Sequence, residues 1–136
     1  TEMSKLAQSN SDLDFIIPLH PNPNVQKHKD LLKAITVVDS MEYDDFVKLL
    51  ADTRLVITDS GGLQEETSFL KKKCIVCREK TERVEGLGTF AFMCEKPDQL
   101  ESLFQKVNSD YKIDLPSPYG DGFSSKRIVE ILLSEI

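Results

Sequence analysis

Short apolar runs alternate with amphipathic stretches along most of the chain. Residues 14–19, DFIIPL, residues 35–38, residues 55–57, LVI, and residues 74–77, CIVC, are brief and rich in β-branched or apolar side chains. Runs of this kind, bounded by polar or turn residues, predict buried parallel strands; residues 89–94 predict a fifth, short one. Between them the period changes. In residues 42–51 Phe46, Val47, Leu49 and Leu50 form one side of a helix, with Asp44 and Asp45 in its first turn. Leu100, Leu103, Phe104 and Val107 recur at i, i+3, i+4 and i+7 behind Pro97, a good first helical residue. Ser124 is placed to cap a last helix whose Ile128, Ile131, Leu132 and Ile136 make a broad apolar stripe. Residues 25–34 predict a short helix, capped by Asn24 after the loop His20-Pro21-Asn22-Pro23. Residues 1–13 predict little structure, partly helical at best. Strands that alternate with helices call for crossovers. The expected fold is therefore a single α/β domain over residues 1–136, a Rossmann-like open parallel sheet flanked by helices.

In such sheets ligands bind beyond the carboxyl ends of the strands. That rule gathers three loops on one edge: residues 20–24, 58–62 and 78–88. The second carries the clearest chemistry. After the strand at residues 55–57, Thr58-Asp59-Ser60 turns polar, Gly61-Gly62 follows, and residues 63–70 open a helix with two glutamates, Glu65 and Glu66, expected in its first turn. This order aims free backbone N–H groups and the positive end of a helix dipole at one point. Glycines there let a ligand approach the backbone closely. A diphosphate suits the point, and Glu66 is placed to accept hydrogen bonds from sugar hydroxyls. The plainer alternative is a tight turn whose glutamates only complement the dipole. Lys71-Lys72-Lys73 at the far end of this helix is read the same plain way, as positive charge against a C-terminal dipole.

The 136 residues are 40% hydrophobic and 29% charged, the balance of a globular protein. A formal net charge of −6 speaks against a nucleic-acid partner, though not against a local anion site. Neither a membrane-spanning run nor a secretory leader is expected. The first methionine stands at position 3, so a piece of a longer chain is expected. Three cysteines, an odd number, favour a reducing, cytoplasmic compartment. Cys74 and Cys77 form a C-x-x-C, but on a strand they point to opposite faces, so buried free thiols are expected rather than a metal or redox site.

Five pieces of the chain stand in the order found in one enzyme family: HPNPNV at residues 20–25, YDDFVKLL at 43–50, TDSGGLQEE at 58–66, REKTERVE at 78–85 and PYGDGFSSKRI at 118–128. From Asp14 onward the chain resembles the C-terminal half of the non-hydrolysing UDP-N-acetylglucosamine 2-epimerases. TDSGG-x-QEE followed by TER-x-E is the specific part; Val84 departs from the proline that usually follows TER. The resemblance implies the C-terminal domain of a GT-B fold, two Rossmann-like domains with the nucleotide sugar in the cleft between them. It implies that Phe46 stacks on uracil, that Ser60, Gly61 and Gly62 hold the diphosphate, that Glu66 binds the ribose and that Arg83 faces the phosphates or sugar. His20 would lie near the cleft, close to a regulatory second substrate molecule.

The implied reaction interconverts UDP-GlcNAc and UDP-ManNAc by eliminating UDP and adding it back, as an isomerase of polysaccharide biosynthesis, without nicotinamide, metal or other cofactor. The acids and bases would come mostly from an N-terminal domain absent from this chain; in this chain Arg83 is a candidate, and a carboxylate base among Glu79, Glu82 and Glu85 is an alternative that surface solvation explains more simply. The full-length enzyme would be a homodimer, and this chain alone inactive. The same UDP cradle also fits half of a hydrolysing epimerase or of a GT-B glycosyltransferase, or a non-catalytic module that binds a nucleotide sugar.

Overall fold

The computed structural model describes residues 1–135; Ile136, the last residue of the apolar stripe expected at the end of the chain, lies outside them. Five parallel strands form two sheets. In the first, β1 (Ile16–Leu19) pairs with β2 (Thr36–Asp39), Ile16 opposite Thr36. In the second, β3 (Val56–Thr58), β4 (Cys74–Val76) and β5 (Ala91–Met93) lie side by side in that order. Thr58 is level with Val76, and Val76 with Met93, so the loops after β3, β4 and β5 leave from one edge.

Strand alternation gives the second sheet two apolar faces. Ile75 and Cys94 pack with Leu6, Leu100, Phe104 and Val107 on one face, joined by Leu55, Ile57 and Phe92. Cys74, Val76, Val56 and Ala91 pack with Leu50, Phe46 and Leu63 on the other. The first face is covered by α1 (Glu2–Ser9) and α5 (Leu100–Ser109), the second by α3 (Tyr43–Asp52) and α4 (Gly62–Phe69). Burying a side chain as completely as Ile75 is worth about 1.5–3 kcal/mol, which is why the central CIV run reads as a strand despite its brevity.

Three expectations change. The amino-terminal segment is a full helix, α1, and part of the core: Leu6 and Ala7 are buried. Its sequence, EMSKLAQS, is mostly polar, but polar groups tie it down. Thr1 caps it by accepting from the Ser4 backbone, Ser4 Oγ donates to Leu31 O at 2.6 Å, and Gln105 donates from Nε2 to Asn10 Oδ1 at 3.1 Å. The helix expected at 25–34 is instead α2 (Pro23–Gln26) followed by a 3-10 turn (Lys29–Leu31). Asn22, not Asn24, is the cap: its side chain accepts from the Asn24 N–H at 2.9 Å, and Pro23 takes the first position. Ala34 has φ 61°, which breaks any continuation. Finally, α6 (Ser124–Ser134) carries its apolar stripe outward. Ile128, Val129, Ile131, Leu132 and Leu133 are all exposed, and no residue of α6 is buried. Among the described residues no helix is long and apolar enough to cross a membrane.

Candidate functional site: the glycine turn and the arginine loop

The site is built where β3 and β4 end side by side. Cys77 N–H donates to Thr58 O at 2.7 Å, so the glycine turn and the loop that follows β4 start in contact. Ser60 N–H donates to Thr58 Oγ1 at 3.0 Å, which fixes the turn before α4 begins. Gly61 has φ −64° and ψ −42°, ordinary right-handed helical values. The left-handed or strained φ that would by itself demand glycine is absent. What surrounds it is a crowd of side-chain ends: a Cβ on Gly61 would lie 2.5 Å from Glu82 Oε1, 2.8 Å from Arg83 Nη1 and 3.1 Å from Arg78 Nη1, so any side chain there displaces them. At Gly62 the nearest group is Ser60 Oγ, 3.9 Å away. Two guanidinium groups thus meet the N-terminus of α4, where Gln64 N–H donates to Gly61 O at 3.2 Å and the first donors of the helix, ahead of it, have no intrahelical partner.

The loop carrying the arginines is held by buried polar contacts. Gln64, fully buried in the first turn of α4, donates from Nε2 to Thr81 Oγ1 at 2.8 Å. Thr81 Oγ1 also accepts from the Arg83 backbone N–H at 3.2 Å. From the other side, the Tyr119 hydroxyl accepts from Gly86 N–H and donates to Arg83 O, both at 3.3 Å. Arg83 donates from Nε to Glu65 Oε1 at 2.5 Å and pairs with Glu82, which is also 3.5 Å from Arg78. The hydrogen bond that Arg83 donates to Glu65 holds its guanidinium pKa above the ordinary value. The Glu82 carboxyl is lowered by a bond to its own backbone N–H and by Arg78 and Arg83. Glu65 alone lies in the first turn of α4; Glu66 sits beyond it and accepts from the Tyr43 hydroxyl at 3.0 Å. That bond raises the Tyr43 pKa.

Ser60, Gly61, Gly62 and Arg83 therefore come together, with Glu66 on the same helix. Phe46 is half-buried and packs on the core cluster of Leu50 and Val76, beside Leu63. His20 lies at the end of β1, in the other sheet; it is exposed, and its Nδ1 accepts from Asn22 N–H at 3.1 Å. Sequence reasoning missed Arg78 and Gln64. The signal for Arg78 was its place at the second loop position after β4, at the carboxyl edge. Gln64 gave only a polar residue on the inward side of α4. Of the two thiols expected to be buried, Cys74 is, but Cys77 sits just past β4 and is exposed; Cys94 is buried as well. Burial and the neighbouring Cys94 thiol push the Cys77 pKa up. Among the described residues no three His, Cys, Asp or Glu side chains gather as a metal site.

A sequence model described as UDP-N-acetylglucosamine 2-epimerase matches residues 2–133. The chain belongs to the UDP-N-acetylglucosamine 2-epimerase family. Among curated relatives it is 37% identical to the UDP-N-acetylglucosamine 2-epimerase of Neisseria meningitidis over 140 residues, covering 95% of this chain and 38% of the relative. It is 34% identical to the Campylobacter jejuni enzyme, covering 94% and 36%. The chain thus spans well under half the length of these relatives. Solved structures agree. The structure of a putative UDP-N-acetylglucosamine 2-epimerase from Listeria monocytogenes superposes with a TM-score of 0.82 at 29% identity, over 98% of this chain and 39% of that one. The Neisseria meningitidis epimerase bound to UDP-GlcNAc gives 0.75 at 30% identity, over 98% and 39%. These epimerases have the GT-B fold, and the parallel α/β architecture of this chain is part of it.

Proposed function

We propose that this chain is the C-terminal, UDP-binding half of a UDP-GlcNAc 2-epimerase that interconverts UDP-GlcNAc and UDP-ManNAc. The observation that carries this reading is the meeting of Arg78 and Arg83 at Gly61, on the N-terminus of α4. Breaking the anomeric C–O bond places charge on a departing diphosphate. Backbone donors at a helix start, the Ser60 hydroxyl and two guanidiniums are the groups that stabilise such charge. Arg83 is held between Glu65 and Glu82; on this reading the diphosphate takes the place of the Glu82 carboxylate. Glu66 receives the ribose hydroxyls, Phe46 the uracil, and His20 the region of a second, regulatory nucleotide sugar. Support for the ligand class comes from relatives solved with UDP-GlcNAc and with UDP.

The base that removes the C2 proton belongs, on this reading, to an N-terminal domain across the cleft, and the complete enzyme is a cytoplasmic homodimer. The outward apolar stripe of α6 supports a further part of the protein packing there. The test has two arms. Joined to the N-terminal half, the chain should exchange the C2 proton of UDP-GlcNAc in deuterated water; the chain alone should not, and should bind UDP weakly because half the cleft is missing. Exchange by the isolated chain, or UDP affinity in the complete protein unchanged by Arg83→Ala, overturns the reading.

A further inference from the structure

The opposite, amino-terminal edge of the β3–β4–β5 sheet holds a second concentration of charge. Arg54, just before β3, Lys71 and Lys72, between α4 and β4, and Tyr111, Lys112 and Asp114, after α5, line an open cavity of about 520 Å³. Four cations face one carboxylate there, in a chain whose net charge is −6. The one carboxylate is already engaged, since Asp114 pairs with Lys71. Among the described residues Arg54, Lys72 and Lys112 form no salt bridge.

The backbone brings these like charges together. Lys72 and Lys112 stand directly opposite each other across an isolated antiparallel bridge. Residues paired in that way share a face, and like charges there repel. The turn before them is fixed. Lys72 N–H donates to Thr67 O at 2.8 Å and Lys71 N–H to Ser68 O at 3.1 Å, the double bond pattern that closes a helix through a left-handed residue. That residue is Lys71, with φ 56°, where glycine is the ordinary occupant. Arg54 is held as well, its guanidinium carbon 4.2 Å from the centre of the Tyr111 ring. The backbone positions of the lysines and the guanidinium of Arg54 are therefore set before any ligand arrives, which lowers the ordering cost of binding one.

We propose that this cavity is a binding site for a multivalent phosphate group, a di- or triphosphate moiety, at the end of the strands remote from the glycine turn. A multivalent anion cancels the repulsion that the bridge imposes, and the cavity is large enough for several phosphoryl groups. The proposal is independent of what the glycine turn binds.

The test titrates the isotopically labelled chain with inorganic tripolyphosphate, and separately with ATP, while following backbone amide resonances. Saturable shifts at Lys72, Tyr111 and Lys112 are expected with tripolyphosphate; shifts at residues 60–62 report the glycine turn and are scored separately. Equal affinity for the two probes shows that only phosphate is read, and a tighter ATP arm shows a nucleotide as the source. Lys72→Glu should weaken binding about 10–100-fold and should melt no lower than the parent, because it relieves a like-charge pair. Lys112→Gln, a milder change, keeps the test open if Lys72→Glu fails to fold. No saturable shift at these three amides at millimolar tripolyphosphate, or the same affinity in the variants, overturns the proposal.

Discussion

Gln64 donates a hydrogen bond from Nε2 to Thr81 Oγ1 across 2.8 Å, and this contact joins the first turn of α4 to the loop that carries Arg83. Because Gln64 is wholly buried, the bond cannot be replaced by water at small cost. Thr81→Val keeps the shape but leaves the Gln64 amide unpaired, so the fold should lose about 1–3 kcal/mol. Urea unfolding measures the loss. The Arg83 loop should also become more mobile, seen as faster amide exchange at Arg83, whose N–H now donates to Thr81 Oγ1. An unchanged midpoint and unchanged exchange would show that the loop is held elsewhere.

Gly61 separates binding from folding. Its φ is one that any residue adopts, and the atoms a Cβ would meet are the ends of flexible side chains, Glu82, Arg83 and Arg78. Gly61→Val should therefore leave stability within about 0.5 kcal/mol of the parent. UDP affinity of the complete protein should be lost, because the displaced guanidiniums no longer meet at the helix start. Calorimetry beside a thermal melt reads both. A destabilised fold with normal UDP affinity would reverse the assignment.

Most of the fold was legible because its strands are short apolar runs and its helices periodic. Val56, Ile57, Cys74, Ile75 and Val76 each fall on the face that strand alternation assigns. What escaped depends on distant partners. The polar sequence of α1 conceals a helix whose burial comes from α5, 90-odd residues later, through contacts such as Gln105 with Asn10. The break at Ala34 is a backbone choice that side-chain pattern does not signal. In the site, the turn of Ser60, Gly61 and Gly62 was readable from strand, glycines and helix. Arg78 was not, because its meeting with Gly61 requires β3 and β4 to be neighbours in register.

Cys77 offers a measurement by pH. Burial, and then the neighbouring Cys94, push its thiol up to about 11, although the residue is exposed. The thiolate is the reactive form, so a raised value means little of it near neutrality. Iodoacetamide should label Cys77 slowly at pH 7.5, with the rate rising until the pH passes about 11. Cys94→Ala removes one contributor and should move that inflection downward. Mass spectrometry of the peptide carrying residue 77 follows both. Fast labelling at neutral pH would show that the thiol is not desolvated in solution as the structure has it.

Glu66 tests the sugar side of the cradle with the least disturbance. It accepts from the Tyr43 hydroxyl at 3.0 Å, and that bond, with the carboxylate's charge behind it, raises the Tyr43 pKa. Glu66→Gln keeps the shape and removes the charge. Two readouts follow. The Tyr43 phenolate should appear at lower pH than in the parent, because the carboxylate that disfavours a second negative charge is gone; ultraviolet titration with Tyr43→Phe as the reference detects it. In the complete protein UDP should bind more weakly by about 1–3 kcal/mol, the worth of charge-assisted hydrogen bonds to ribose hydroxyls. The first readout checks that the Tyr43 contact exists, and the second whether the same carboxylate serves a ligand. A shifted tyrosine titration with UDP affinity unmoved would leave Glu66 as a partner of Tyr43 alone and take the ribose away from it.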